Sequence, residues 1–311
     1  MGSTFLLAVS LINHLGITLA HTPSGIRQTK IKGKLWLSLL IPGAAFGFVQ
    51  ISLQMPGGYS NRITNNYHLA THPVHIQGVD KNASGITFNP DTETLFVVIN
   101  SPEKLLELDR NGNVFRQIAL VGFHDTEGVV YLGNQQFAII EERRNTVVLI
   151  NINDDTSTID RHSQRSLSLP PAGIGNNKGL EGLAADRVNN RLYIVNEKTP
   201  RQLLQIDGFI DNSLQLSVSE PWRLEDSAIN GRDFAGLHFN NQKNSLLLLS
   251  EESRRVYEVD TTGNLIEEIS LNKNSSGLTE NIPQPEGITL DNQGSLFIIS
   301  EPNLFYRFDR S

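Results

Sequence analysis

Five glycines set the scale on which this chain must fold. Gly85, Gly128, Gly182, Gly236 and Gly287 lie 43, 54, 54 and 51 residues apart. They open five similar segments: SGITFN (84–89), EGVVYL (127–132), EGLAAD (181–186), AGLHFN (235–240) and EGITLD (286–291). After each opening comes a polar turn and an apolar strand: TLFVVIN (94–100), QFAIIE (136–141), RLYIVNE (191–197), SLLLLSE (245–251) and SLFIISE (295–301). A third strand of alternating character follows, as in KLLELD (104–109), RVYEVD (255–260) and LFYRFD (304–309). A fourth is visible in most copies, as in VFRQIAL (114–120) and LIEEISL (265–271), set off by turn chemistry such as Asn111-Gly112. Four antiparallel strands per unit of this length is the period of a β-propeller blade. Helical arrays would show a 3.6-residue period, and these segments do not.

The last copy ends after its third strand, at Asp309. A ring that did not close would leave an unpaired edge, so YHLATHPVHI (67–76), ahead of the first copy, is expected to supply the missing strand. The expected fold is therefore all-β, a five-bladed propeller over 67–311. A six-bladed ring is the alternative, although it would need about fifty more residues for another blade.

Ahead of the repeats, 35–53 is a 19-residue run without charge, LWLSLLIPGAAFGFVQISL. That is about the length of a membrane-spanning helix. Arg27, Lys30, Lys32 and Lys34 precede it with no comparable cluster after it, which predicts a cytoplasmic N-terminus and an external propeller, periplasmic in a bacterium. The expected organisation is a cytoplasmic segment 1–34, an inner-membrane anchor 35–53, a linker 54–66 and the propeller. A cleaved signal peptide is the other reading of the run. Residues 4–20 are also apolar and are read either as a second span or as an upstream extension of the reading frame.

No Asp or Glu occurs in the first 79 residues. All 33 acids lie from Asp80 onward against 21 of the 26 basic residues, a balance of −12 in that part. Such a surface repels phosphate backbones, so nucleic acid is excluded as a partner. With no cysteine, disulfides and thiolate metal sites are excluded as well.

The acids follow the repeat. Before the first strand stand Glu127, Glu181 and Glu286, with Asp233 three residues ahead of Gly236 and Ser84 in the first copy. At the end of the second strand stand Glu141, Glu197, Glu251 and Glu301, with Asn100 in the first copy. Antiparallel pairing brings both sets to one mouth of the channel. Carboxylates held that close raise one another's pKa unless a cation neutralises them. Calcium takes six to eight hard oxygen ligands in flexible geometry, whereas no histidine recurs with the blades as zinc would require. The bland alternative is a solvated, salt-bridged outer ring, since Arg143, Arg144, Lys198, Arg254 and Arg255 follow the second strands. No G-x-S-x-G elbow, H-E-x-x-H pair or Walker loop is present. Asp109-Arg-Asn-Gly-Asn113 begins like a calcium loop but continues as a hairpin turn.

From about Asn66 onward the chain resembles the SdiA-regulated family of bacterial proteins. The resemblance rests on GLEGLA (179–184), EERR (141–144), NEKTP (196–200), DFAGLHFNNQKNSLLLLSEESR (233–254), QPEGITLD (284–291) and SEPNLFYRF (300–308). It implies a five-bladed propeller distantly related to NHL-repeat proteins, a membrane-proximal N-terminal segment and a calcium site. No established activity comes with it. The positions that the resemblance carries over are Glu127, Glu181, Asp233, Glu286, Glu142, Glu197, Glu252 and Glu301. Two functions from different classes follow. One is a membrane-anchored periplasmic calcium-binding module that presents its acidic face to a small-molecule or protein ligand. In it, Glu127, Glu181, Asp233 and Glu286 hold the metal, and Glu142, Glu197, Glu252, Glu301, Arg143 and Arg254 meet the ligand. The other is a calcium-dependent hydrolase of phosphoester or lactone type, in which one glutamate activates water. A scaffold with calcium locking its blades is a third reading.

Overall fold

The second strand of every repeat is an uninterrupted apolar run, and such a run is stable only when covered on both faces. Blades stacked around an axis provide that cover. In the computed structural model, which describes residues 35–36, 50–51, 66–170, 179–197 and 201–310, the five repeats form five antiparallel sheets. The first blade runs from its inner strand Ala83–Asn89 through Thr94–Ile99 and Lys104–Leu108 to Val114–Val121. Neighbouring inner strands pack against one another, and Pro285–Leu290 of the fifth blade returns to Ala83–Asn89, so the ring closes. Five blades are present, and the six-bladed alternative is excluded.

Each gap between neighbouring blades holds one hydrophobic cluster, and there are five clusters for five gaps. Between the first and second blades Phe96 meets Phe137 with ring centroids 4.7 Å apart. Between the third and fourth, Tyr193 stacks on Phe239 at 5.5 Å. The stability of the ring is therefore interfacial, because no blade covers its own faces.

Closure uses the expected segment, in two pieces. Tyr67–Leu69 pairs antiparallel with the end of Leu304–Arg310 (Arg310 with Tyr67, Phe308 with Leu69). Val74–His75 then pairs with the start of the same strand. The interruption falls at 70–73, where Pro73 has no amide to donate. Between the pieces, the Ala70 amide donates to the Arg307 carbonyl at 2.8 Å. A fifth strand not foreseen from the repeat, Thr158–Asp160, runs parallel to Val114–Val121 and covers the outer edge of the first blade.

The axial glycines are explained by contact. A Cβ on Gly182 would lie 2.7 Å from the Leu237 amide nitrogen, and one on Gly85 would lie 2.6 Å from the Glu127 carbonyl oxygen. Backbones of neighbouring blades touch at this level, which leaves no room for a side chain.

Asn61–Ser311 forms one compact unit and Met1–Ser60 another. Of the latter, only the strands Leu35–Trp36 and Gln50–Ile51 are described, paired antiparallel with each other. Most of the anchor expected over 35–53, with its basic flank, lies outside the described residues. Among the described residues no helix is long and apolar enough to cross a membrane, so the expected spanning helix has no support in the structure.

Candidate metal centre at the acidic mouth

Strand register fixes which side chains face one another. Ile140 pairs with Gly128, Val98 with Gly85, Leu249 with Gly236 and Ile299 with Gly287. Counting two residues on places Asn100, Glu142, Glu251 and Glu301 at equivalent positions, and Glu197 joins them in the third blade, where Leu183 pairs with Ile194. The second-blade member is therefore Glu142 rather than Glu141, and the fourth-blade member is Glu251 rather than Glu252. Glu141 lies one residue earlier on the opposite face of its strand. It is fully buried there, accepting from Arg161 at 2.6 Å, Arg144 at 2.8 Å and the His124 amide at 3.0 Å. Its role is to staple the second blade to the segments around it.

One group of acids converges. Carboxylate oxygens of Asp125, Glu127 and Glu142 come within 4.8 Å of one another. Asp125 stands three residues before Gly128, as Asp233 does before Gly236, and that shared offset is the sequence signal that could have singled it out. It adopts a left-handed backbone (φ 56°), as do Asn82 and Gln284 at the same offset in the first and fifth blades. The conformation turns the chain into the inner strand, and short polar side chains tolerate it best. The Asn100 side-chain amide donates to Asp125 at 3.1 Å and also to Glu127. Glu142 accepts the Gly179 amide at 2.9 Å, and its own amide donates to the Asp125 carbonyl at 2.9 Å. Three blades thus meet at this cluster.

The electrostatics follow from that crowding. Burial pushes the Glu127 carboxyl up to about 8, against the hydrogen bond from Ser84 and with the charges of Asp125 and Glu142 adding to it. Burial likewise raises Glu142 to about 7, with Asp125 adding to the rise. Nearer the axis, burial holds Glu181 well above the usual range, and the charges of Glu127, Glu142, Glu197 and Glu286 act in the same direction. Glu286 rises to about 9, through burial and then through Glu251 and Glu301. Two ionised carboxylates at this spacing repel by on the order of 3 kcal/mol at a protein-like effective dielectric. The Arg143 guanidinium, 2.9 Å from Asp125, is 70 % exposed and offsets little of that. The cluster therefore calls for protons or a cation. Its donors are oxygens without an imidazole or thiolate among them, a set that suits a hard divalent ion.

The remaining expected residues are dispersed. Asp233 is buried and accepts from the Ser250 hydroxyl at 2.7 Å and the Glu252 amide at 3.1 Å, so it caps the turn after its second strand. Glu252 lies in that turn, and Arg254 follows it with a left-handed φ of 46°. Glu197 stands beside Glu142 and Glu181, and Glu301 beside Glu286, close enough to raise their pKa values. Lys198 lies outside the described residues. The loop at Asp109 is the hairpin expected: its carboxylate accepts the amides of Asn111 at 2.8 Å and Asn113 at 2.9 Å.

Fold and site together define a five-bladed propeller whose axial glycines are ringed by carboxylates at one mouth. The chain belongs to the SdiA-regulated family, whose model matches residues 60–309. Among solved structures it is similar to the glutaminyl cyclase of Myxococcus xanthus, at 14% identity and a TM-score of 0.53, over 79% of this chain and 97% of that one. It is also similar to regucalcin, a calcium-binding protein of Agrobacterium tumefaciens, at 12% identity and a TM-score of 0.49, over 76% and 92% of the two chains. A gluconolactonase of Xanthomonas campestris matches at 12% identity and a TM-score of 0.48, over 79% and 95%. At these identities the likeness is one of fold alone.

Proposed function

We propose that this protein is a calcium-binding propeller that uses the acidic mouth as a ligand- or partner-binding face. The observation that carries the reading is the convergence of Asp125, Glu127 and Glu142 within 4.8 Å at a junction of three blades. Calcium would replace the protons that burial and mutual repulsion otherwise impose, and the Asn100 amide could present its oxygen to the ion after a flip. Attachment to a bacterial inner membrane with the propeller in the periplasm is part of the proposal. It is supported by the uncharged run 35–53 and its basic flank. Fractionation of the full chain tests it, and recovery in the soluble cytoplasm would refute it.

The metal reading is tested by calcium titration of the full chain followed by thermal unfolding. Calcium should raise the melting temperature of the wild type and should leave the Glu127→Gln, Glu142→Gln double variant unchanged. An equal rise in both would rule the site out.

A second reading is favoured by Glu286, whose carboxyl is raised to about 9 by burial beside the same mouth. A protonated acid next to a cation could serve a calcium-dependent hydrolase of lactone or phosphoester type. Turnover of such substrates that needs calcium, and that is lost in Glu286→Gln while calcium binding persists, would support it.

A further inference from the structure

The other end of the channel has a different chemistry. The inner strands continue about 13 Å past the glycine ring, at roughly 3.3 Å per residue, and open into a basin lined by Tyr131, Arg187 and Asp291 among others. Thr87 and His238 line it, each two residues beyond its axial glycine, and Thr289, at the same offset in the fifth blade, is buried beside His238. The His238 Nδ1 lies 3.2 Å from the Thr289 hydroxyl. Thr87 and Thr289 also hold the blades in register, accepting the backbone amides of Tyr131 at 3.1 Å and Phe88 at 3.2 Å. Asparagine side chains from the fourth and fifth blades surround the wall.

One charge in this basin is left over. Asp291 is paired with Arg110 and accepts the amides of Gln293 at 2.8 Å and Ser295 at 2.9 Å. Asp91, beside the rim, accepts the Tyr131 hydroxyl, and Asp186 accepts the Asn189 side-chain amide at 2.6 Å. Arg187 forms no ion pair among the described residues. It is half-buried, its amide held by Asn241 at 3.1 Å and its guanidinium 5.9 Å from the centroid of the Tyr131 ring. From Asp80 onward acids outnumber bases by 12, yet no carboxylate among the described residues pairs with this recessed cation. Packing over Tyr131 alone would be worth about 0.5–1 kcal/mol at an exposed site, and it would not require the polar floor beneath.

We infer that this basin is a second binding site, opposite the acidic mouth, for a small organic anion of single charge, a monocarboxylate with a polar or hydroxylated body. Arg187 would take the carboxylate as a bidentate partner, while His238, Thr87 and the asparagines would meet the polar body. Burial, with the Arg187 charge adding to it, pushes the His238 imidazole down to about 3, so the ring is neutral and adds no second cation. A doubly charged phosphate would leave a net negative charge beside Asp91 and Asp291.

The test uses the full chain with lactate as probe. Lactate should give saturation-transfer signals with the wild type and shift the ring resonance of His238, and Arg187→Met should weaken binding roughly tenfold or more, the worth of a charged hydrogen bond. The calcium response of Arg187→Met should match the wild type, which reports both that it is folded and that the two mouths are separate. Wild-type-like lactate binding by Arg187→Met, or a His238 ring that lactate does not move, would overturn the inference. Phosphate binding more tightly than lactate would overturn the choice of a monocarboxylate.

Discussion

At the level of single residues, the carboxyls of Glu127, Glu142 and Glu286 stand at about 8, 7 and 9, chiefly because burial penalises their charged forms. Each folded value lies above that of the unfolded chain, so folding takes up protons between the two. Without a cation, stability should be fully present below about pH 4.5 for these groups and should fall as pH rises through about 7 to 9. Calcium competes with the same protons, so its affinity should increase over that window. Melting temperatures in chelator, compared at about pH 6 and about pH 9, should drop, and the drop should shrink in calcium and in Glu127→Gln, Glu142→Gln. A flat profile in chelator would show that these carboxyls are ionised and stabilised by something else. Asp125 belongs to the same cluster, yet its offset of three from Gly128 was legible beforehand only through its likeness to Asp233.

The strands obey two constraints that a substitution can separate. Around the axis the limit is space: a Cβ on Gly182 meets the Leu237 nitrogen at 2.7 Å and the Gly236 carbonyl carbon at 2.8 Å, and both are backbone that cannot swing aside. Gly182→Ala should cost about 1–3 kcal/mol, the range for overpacking a tight contact, measured by urea unfolding. A loss below a few tenths would mean that the blades can part. At the ring's seam the limit is burial. Tyr67, on the closing strand, is buried in the cluster between the fourth and fifth blades. Tyr67→Ala should cost about 3–5 kcal/mol, as removal of a large buried aromatic does, and should loosen the seam first. Hydrogen exchange at 304–310 should rise ahead of that in 136–151; uniform acceleration would argue against a seam.

For the whole molecule, the ring divides one channel into two mouths of opposite demand, one crowded with carboxylates and one with an arginine that has no ion pair among the described residues, above a polar floor. Both stand on rigid strand ends rather than on long loops, so ligands at either mouth should leave the backbone nearly unmoved. Calcium should protect all five blades together against proteolysis, because each gap between blades carries its own core cluster and no blade is stable apart. Protection limited to the second blade would show that the cation acts only on its own turn.

The sequence by itself determined the repeat, the blade count and the closing strand. Those features depend on local period, turn chemistry and the need to leave no open edge, and all three are written in residue order. It also marked the Glu-Gly openings as the acidic mouth. Tertiary structure alone decided which acids share a site. Glu141 and Glu142 are neighbours in sequence, yet successive strand residues face opposite ways, so Glu141 is sequestered by arginines while Glu142 turns to Asp125 and Glu127. Arg187 and His238 are 51 positions apart on different blades, and only the closed ring brings them to one basin.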